Sequence, residues 1–322
     1  MPLHEMPYEE FVSYKPKLTM EPDFHSFWGG LQAESSRRPL RATMEKSADP
    51  YKLCSVYRVQ FEGMDGSPVR GWYLTPAGAS AYSPVPALVR YHGYTGSDRA
   101  YPHHLTYWCS LGMAVLSIDI RGQAGDTPDP GVYANDGITG WITRGLLDRD
   151  NYYYKQVFMD CLRAVDFVCE RAEVNSQRVA VYGESQGGGI ALMAGALDSR
   201  PKLVLSIFPF LCHWRRSVDM AADVPYKEIT QWFVQYDPAR TIETEVFRTL
   251  SYYDAMNMAS LVKARTFMGI TLQDTCCPPP ASFAAYNHLN APKELIVNPD
   301  YGHVGGIPSF QEAMMRFLDR YL

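Results

Sequence analysis

Long apolar runs, paired cysteine motifs and an excess of positive charge are all missing from this sequence. The longest apolar stretch, residues 203–212, is interrupted by Ser206 and Pro209. It is shorter than the roughly 18 residues that a membrane span needs, so no membrane association is expected. The 30 basic and 35 acidic residues leave a net charge of −5. No nucleic-acid partner is expected either, because phosphate binding requires a clustered basic surface.

The seven cysteines are odd in number and show no CxxC spacing. This pattern supports neither a zinc knuckle nor a disulfide framework, and we expect no metal and no cofactor. The adjacent pair Cys276 and Cys277 is interpreted as packing. The first residues, MPLHEMPYEEF, lack the basic-then-apolar pattern of a signal peptide. Together these features predict a cytoplasmic protein with reduced thiols.

Short apolar runs alternate with helix-like stretches from about residue 86 onward. The runs are residues 87–91, 113–120, 178–182, 203–208, 266–270 and 294–297. Consecutive apolar positions predict strands buried on both faces, and the alternation with helices predicts a mostly parallel central sheet flanked by helices, an α/β fold. We expect one domain over residues 1–322, with an N-terminal arm over about 1–50 and a helical insertion over about 214–263.

The motif with the clearest chemical meaning is GESQGGG, which begins at Gly183 and contains Ser185. It follows the apolar run RVAVY and opens a helix-like stretch. A serine on such a sharp strand-to-helix turn is presented outward as a nucleophile, and glycines are needed around it because a Cβ would clash with the neighbouring backbone. The alternative is a glycine-rich turn with no chemical role.

A serine nucleophile needs a base, and three histidines follow Ser185 in the chain. His303 follows the predicted strand at residues 294–297, where catalytic groups collect at the carboxyl edge of a parallel sheet. It is favoured over His213, which opens the insertion, and over His288, which lies in a predicted helix.

The acid that orients the base is expected between Ser185 and His303, after a strand. Asp274 fits, because it follows FMGITLQ and precedes a turn. The other candidates are Asp237, Glu245 and Asp254, interpreted as solvated residues of the insertion, and Asp300, which could cap its own turn. The oxyanion hole is predicted to use the backbone N–H of Gln186 and that of Tyr94.

With these pieces in place, the chain resembles the acetyl xylan esterases and cephalosporin C deacetylases of carbohydrate esterase family seven. The resemblance is carried by YKPKLTMEPDFHSFW, YHGYTG, GESQGGG, TLSYYDAMNMA, FAAYNHLN, the terminal GHV, and a signature formed by Arg121, Gly122 and Gln123. It implies the α/β-hydrolase fold and a triad of Ser185, Asp274 and His303. It also implies deacetylation of xylo-oligosaccharides and of antibiotic acetyl esters, and a homohexamer.

Three features of the sequence depart from the family pattern. Val304 stands where a glutamate usually follows the histidine, Glu184 stands where glycine is common, and the Cys276–Cys277 pair replaces other residues. Arg121 is interpreted as a structural ion pair rather than a substrate contact, since its planar fork suits a fixed carboxylate. The run Tyr152–Tyr154 is interpreted as core or interface rather than as a sugar-stacking platform.

The sequence therefore predicts a serine esterase that removes acetyl groups from carbohydrate esters. One alternative is a peptidase or amidase of the prolyl-oligopeptidase type, which shares the expected fold. Another is a catalytically inactive binding protein on the same fold.

Overall fold

The computed structural model describes residues 6–96, 98–134, 138–220 and 223–322. Within these residues nine strands form one sheet, in the order β1-β2-β3-β5-β4-β6-β7-β8-β9. The strands are β1 (Thr43–Lys46), β2 (Cys54–Glu62), β3 (Pro68–Pro76), β4 (Val85–Tyr91), β5 (Ala114–Ile118), β6 (Val174–Glu184), β7 (Leu203–Ile207), β8 (Arg265–Thr271) and β9 (Lys293–Asn298).

The pairing is antiparallel from β1 through β3 to β5 and parallel from β5 to β9. All residues of β5 and β7 are buried, because these strands are covered on both faces. The prediction of a mostly parallel sheet flanked by helices is confirmed. The short edge strand β1 carries the polar sequence TMEK and stays largely exposed.

Helices precede, separate and follow the strands. They are α1 (Tyr8–Ser13), α2 (Phe24–Ser35), α3 (Pro102–Ser110), α4 (Tyr153–Cys169), α5 (Gln186–Leu197), α6 (Trp214–Met220), α7 (Lys227–Tyr236), α8 (Glu243–Ser251), α9 (Ala255–Ala259), α10 (Pro279–His288) and α11 (Pro308–Tyr321). In the described part of the chain none of them combines the length and the apolar character needed to cross a bilayer.

The segment predicted as an N-terminal arm contains α1, α2 and β1. Trp28 of α2 is buried, with its ring 5.8 Å from that of Phe158 on α4. The segment predicted as an insertion contains α6 to α9, between β7 and β8. Residues 1–5 of the first segment and 221–222 of the second lie outside the described residues.

Parallel strands bring their carboxyl ends to one edge of the sheet. Strands β4, β6, β7, β8 and β9 are successive neighbours, so the loops that follow them are adjacent in space. These loops carry the residues that the sequence analysis singled out, including Tyr94 after β4, Ser185 after β6, Asp274 after β8 and His303 after β9.

Candidate active site

Ser185 stands at a sharp reversal between β6 and α5. Its φ of 56° and ψ of −119° lie in a strained region for a residue with a side chain. Backbone bonds from Ser185 N to Ile207 O (3.0 Å) and from Phe210 N to Ser185 O (2.9 Å) hold the reversal in place. A Cβ at Gly187 would overlap the carbonyl oxygen of Tyr91, which explains the glycine there.

Asp274 and His303 form a hydrogen-bonded pair beside this reversal. The distance from His303 Nδ1 to Asp274 Oδ2 is 2.8 Å, and the Asp274 side chain is buried. An Nδ1–H that donates to the carboxylate leaves Nε2 of His303 as the basic nitrogen of the ring. The other oxygen, Asp274 Oδ1, accepts the backbone N–H groups of Cys276 (2.8 Å) and Cys277 (2.7 Å).

The two adjacent cysteines lie near both the serine and the histidine. In the part of the chain that the structure describes, no hydrogen bond joins Ser185 to His303; Ser185 Oγ lies 3.8 Å from Cys277 Sγ. The sulfur atoms of Cys276 and Cys277 and a ring nitrogen of His303 all lie within 4.8 Å of one another. The interpretation of the pair as packing alone is therefore incomplete. The signal in the sequence was the position of the pair, directly after the Asp274 turn.

The close contacts shift the pKa values of Cys276 and His303 in opposite directions. The pKa of Cys276 is lowered to about 6, mainly by a hydrogen bond from Cys277 and also by His303, although burial acts to raise it. Burial by itself would lower the pKa of His303, but its hydrogen bond with Asp274 and the neighbouring Cys276 raise it to about 10. The site thus stabilises the protonated form of the His303 ring.

The loop after β4 brings Tyr94 beside the serine turn, since Tyr91 and Gly183 are paired in neighbouring strands. The Tyr94 hydroxyl donates to Glu228 of α7, at 2.9 Å and 3.1 Å from its two oxygens, and accepts the backbone N–H of Trp141 at 2.6 Å. Helix α7 therefore anchors this loop. Nothing in the sequence around Glu228 indicated this contact.

Gln186 is the first residue of α5, so its backbone N–H has no acceptor within the helix. Its side-chain oxygen accepts from Gln123 Nε2 (2.8 Å) and from the Tyr154 hydroxyl (2.7 Å). Both partners are buried. The third residue of the signature thus fixes the residue after the serine, rather than facing a substrate.

Arg121 makes a buried ion pair, as the sequence interpretation proposed. Its Nε and Nη2 lie 2.7 Å and 2.8 Å from the two oxygens of Asp160, and its Nη1 lies 2.7 Å from Asp65. Gly122 has a φ of 66°, and a Cβ there would stand 2.7 Å from Asp129. Residues Tyr152–Tyr154 are at most 1% exposed and belong to the core.

The side chain of Glu184 lies against the loop that carries His303. Its Oε2 lies 2.6 Å from where a Cβ of Gly305 would stand, and its Oε1 accepts from the Tyr182 hydroxyl at 2.6 Å. Burial raises the pKa of Glu184. Val304, in contrast, is half exposed. Position 304 therefore offers no acidic side chain, and Glu184 is the carboxyl group that lies against this loop.

The other two histidines and two of the other acids considered for the base and the orienting acid have partners elsewhere in the structure. His213 Nε2 lies 3.0 Å from the Tyr14 hydroxyl, and His288 Nε2 lies 2.7 Å from Pro16 O. Asp237 and Asp254 are buried and accept backbone N–H groups, so their interpretation as solvated residues is wrong. Their short side chains satisfy the amides of chain turns, a role that the charge pattern does not reveal.

A model of the acetyl xylan esterase (AXE1) family matches residues 1–321 of the 322. The chain belongs to the acetyl xylan esterase family. This membership confirms the predicted family and the prediction of a carboxylic ester hydrolase.

Members and more distant relatives differ in how much of the chain they match. An acetyl xylan esterase structure from Paenibacillus sp. R4 is 55% identical, with a TM-score of 0.96 over 98% of this chain and 100% of that one. The acetyl esterase Axe7A of Xylanibacter ruminicola is 27% identical over 91% of this chain and 66% of its own length. This chain therefore spans slightly less than two thirds of the length of that curated relative.

A more distant structure supports the fold alone. The α/β hydrolase GrgF from Penicillium sp. sh18 is 20% identical, with a TM-score of 0.58 over 83% of this chain and 98% of that one. The α/β-hydrolase fold expected for an acetyl xylan esterase is thereby confirmed.

Proposed function

We propose that this protein is a serine acetyl esterase with Ser185 as nucleophile, His303 as base and Asp274 as the acid that orients it. The observation that carries the proposal is the strained Ser185 turn at the same sheet edge as the hydrogen-bonded Asp274–His303 pair. Among the described residues no hydrogen bond joins Ser185 to His303, and this does not oppose the proposed role. Catalytic hydrogen bonds are often long without substrate and tighten in the complex.

The reaction proceeds in two halves. Ser185 Oγ attacks the ester carbonyl carbon while its proton passes to Nε2 of His303, and the developing oxyanion receives the N–H groups of Tyr94 and Gln186. His303 then gives the proton to the leaving alcohol, and an acetyl-enzyme remains. Water attacks this ester, its proton passing to His303 and then to Ser185 as acetate leaves. Each oxyanion donor contributes about 3 kcal/mol to the transition state.

Several finer properties belong to the same proposal. The substrates are acetylated xylo-oligosaccharides and, by the family resemblance, acetyl esters of the cephalosporin C type. This rests on a 55% identical relative described as an acetyl xylan esterase. The homohexamer and the cytoplasmic location remain predictions. Light scattering on the protein as it leaves a size-exclusion column measures the mass of the assembly and tests the first of them.

The decisive experiment compares S185A with a matched serine variant. S185A is expected to abolish hydrolysis of p-nitrophenyl acetate, because the acetyl-enzyme can no longer form. S199A, at an exposed position after α5, is expected to retain the parental rate. Unchanged turnover in S185A would remove the proposal.

A substrate panel separates the esterase from the alternatives. We expect acetyl esters to be cleaved in preference to esters of four to eight carbons, and dipeptide anilides to be left intact. Preference for the anilide would favour the peptidase. Failure of a fluorophosphonate probe to label the protein would favour an inactive binding protein.

A further inference from the structure

The sulfur atoms of Cys276 and Cys277 form, with His303, a compact set of metal-binding atoms. We propose that these three residues constitute an inhibitory Zn²⁺ site. Thiolate and imidazole groups are the ligands that Zn²⁺ prefers in proteins, and the site offers two of the first and one of the second. No part of the proposed esterase reaction requires either thiol.

The spacing of the atoms fits a tetrahedral ion. Zn–S distances of about 2.3 Å and Zn–N distances of about 2.0 Å place neighbouring ligand atoms about 3.5 to 3.8 Å apart. The two sulfur atoms and the ring nitrogen lie within 4.8 Å of one another, so each pair of atoms would need to approach by about 1.3 Å at most to close the site. Among the described residues this is the set of three histidine, cysteine or carboxylate side chains that meets this criterion.

One carboxylate hydrogen-bonds all three residues of the proposed site. Asp274 Oδ2 holds Nδ1 of His303 at 2.8 Å, which leaves Nε2 for the metal. Asp274 Oδ1 accepts the backbone N–H of Cys276 and that of Cys277, at 2.8 Å and 2.7 Å. Carboxylates that fix ligating histidines in this way are a regular part of zinc sites. The group that positions the proposed base therefore also preorganises the metal site.

The fourth position and the route of entry are also provided. Ser185 Oγ lies 3.8 Å from Cys277 Sγ, close to the spacing between ligands of one tetrahedral ion. Cys277 is buried, but Cys276 is partly exposed and the His303 side chain is 28% exposed, so an ion can arrive from their side. Cys276 Sγ now lies 3.3 Å from Val224 O. Binding would release to solvent the protons carried by the two thiols and by Nε2 of His303.

Inhibition follows from the atoms that the metal occupies, and this step rests on the proposed function. A Zn²⁺ bound at Nε2 takes the electron pair that accepts the proton of Ser185. It also places a cation and its ligands next to the nucleophile. Removal of the ion by a chelator restores both groups.

The test measures binding and hydrolysis separately on the full chain after chelator treatment. Zn²⁺ is titrated by calorimetry, and Co²⁺ is the spectroscopic probe because thiolate-bound Co²⁺ absorbs strongly in the near ultraviolet. We expect about one Zn²⁺ per chain, loss of p-nitrophenyl acetate hydrolysis in step with binding, and recovery with EDTA. C276S and C277S are expected to bind at least about 10-fold more weakly, whereas C169S, which changes a thiol on α4, is expected to behave as the parent.

The outcomes are distinct. Absence of Zn²⁺ binding, absence of the thiolate–Co²⁺ absorption, or equal affinity in C276S and the parent would each overturn the site. S185A is expected to bind Zn²⁺ although it hydrolyses no ester, so the site can be measured even where the proposed function fails. Binding through the thiols with full hydrolysis would overturn the inhibition and would contradict His303 as the base.

Discussion

Replacement of Glu228 by glutamine removes a buried carboxyl that links helix α7 to the loop carrying Tyr94. The residue is 4% exposed, and the Tyr94 hydroxyl donates to it at 2.9 Å. Burial raises the pKa of Glu228 to about 7, although the hydrogen bond from Tyr94 acts in the opposite direction. Glutamine keeps the size of the side chain and an oxygen that accepts this hydrogen bond.

The magnitude follows from the difference in proton binding between the folded and unfolded chains. Between the usual value of 4.5 and about 7, the folded protein keeps the proton on Glu228 and the unfolded chain has lost it. The free energy of unfolding therefore falls as the pH rises through this interval, by about 1.4 kcal/mol per pH unit, or about 3 kcal/mol in total. A glutamine side chain does not titrate, so E228Q lacks this loss.

The assay is urea unfolding of the parent and E228Q at several pH values from about 4.5 to about 7.5. The free energy of unfolding of E228Q minus that of the parent is expected to rise by about 3 kcal/mol across this range. E312Q changes a glutamate in solvent, at a helix surface, and its curve is expected to run parallel to that of the parent. A parallel curve for E228Q as well would refute the reasoning, because Glu228 would then carry its charge in the folded protein.

Substitutions at Gly187, Arg121 and Glu184, two of them with a control variant, test other parts of the structure. Gly187→Ala is expected to lower the free energy of unfolding by at least about 1–3 kcal/mol and to abolish ester hydrolysis, because the new Cβ would overlap backbone atoms. The control is Gly30→Ala, where a Cβ meets nothing within 4 Å; in thermal unfolding it is expected to raise the free energy of unfolding by up to about 1 kcal/mol. Arg121→Met leaves Asp160 buried without its ion-pair partner and is expected to lower the free energy of unfolding, measured in urea, by about 3–5 kcal/mol. A loss below about 1 kcal/mol would contradict a stabilising ion pair. Glu184→Gly removes the side chain that lies against the His303 loop and is expected to lower kcat about 10- to 100-fold. Glu184→Gln keeps the size of the side chain and is expected to retain most of the rate. A fully active glycine variant would show that the loop does not need this contact.

Local patterns in the sequence predicted the sheet and the position of the serine turn. Strands such as β5 and β7 are continuous apolar runs, and burial on both faces is a property that each run carries by itself. Gly183 and Gly187 flank Ser185 within five residues, so a short stretch of sequence is enough to predict the sharp turn. The placement of Asp274 and His303 after strands predicted their common sheet edge, because parallel strands all end there.

The contacts between distant segments could not be predicted in this way. Glu228 meets Tyr94 across 134 positions of the chain, and Gln123 meets Gln186 across 63. Cys277 approaches Ser185 across 92 positions. Such distances depend on the order and twist of the strands and on where helices pack on them. The composition of each segment does not contain this information.

The sequence by itself determined the alternation of strands and helices, the glycine-flanked serine and the acidic and imidazole groups at strand ends. Only the tertiary structure decided that one carboxylate, Asp274, holds the histidine and both cysteines, and that Glu228 anchors the Tyr94 loop. The physical reason is that hydrophobic periodicity is a property of neighbouring residues. Hydrogen bonds and metal-binding geometry depend on distances of about 3 Å between groups that the folded chain alone brings together.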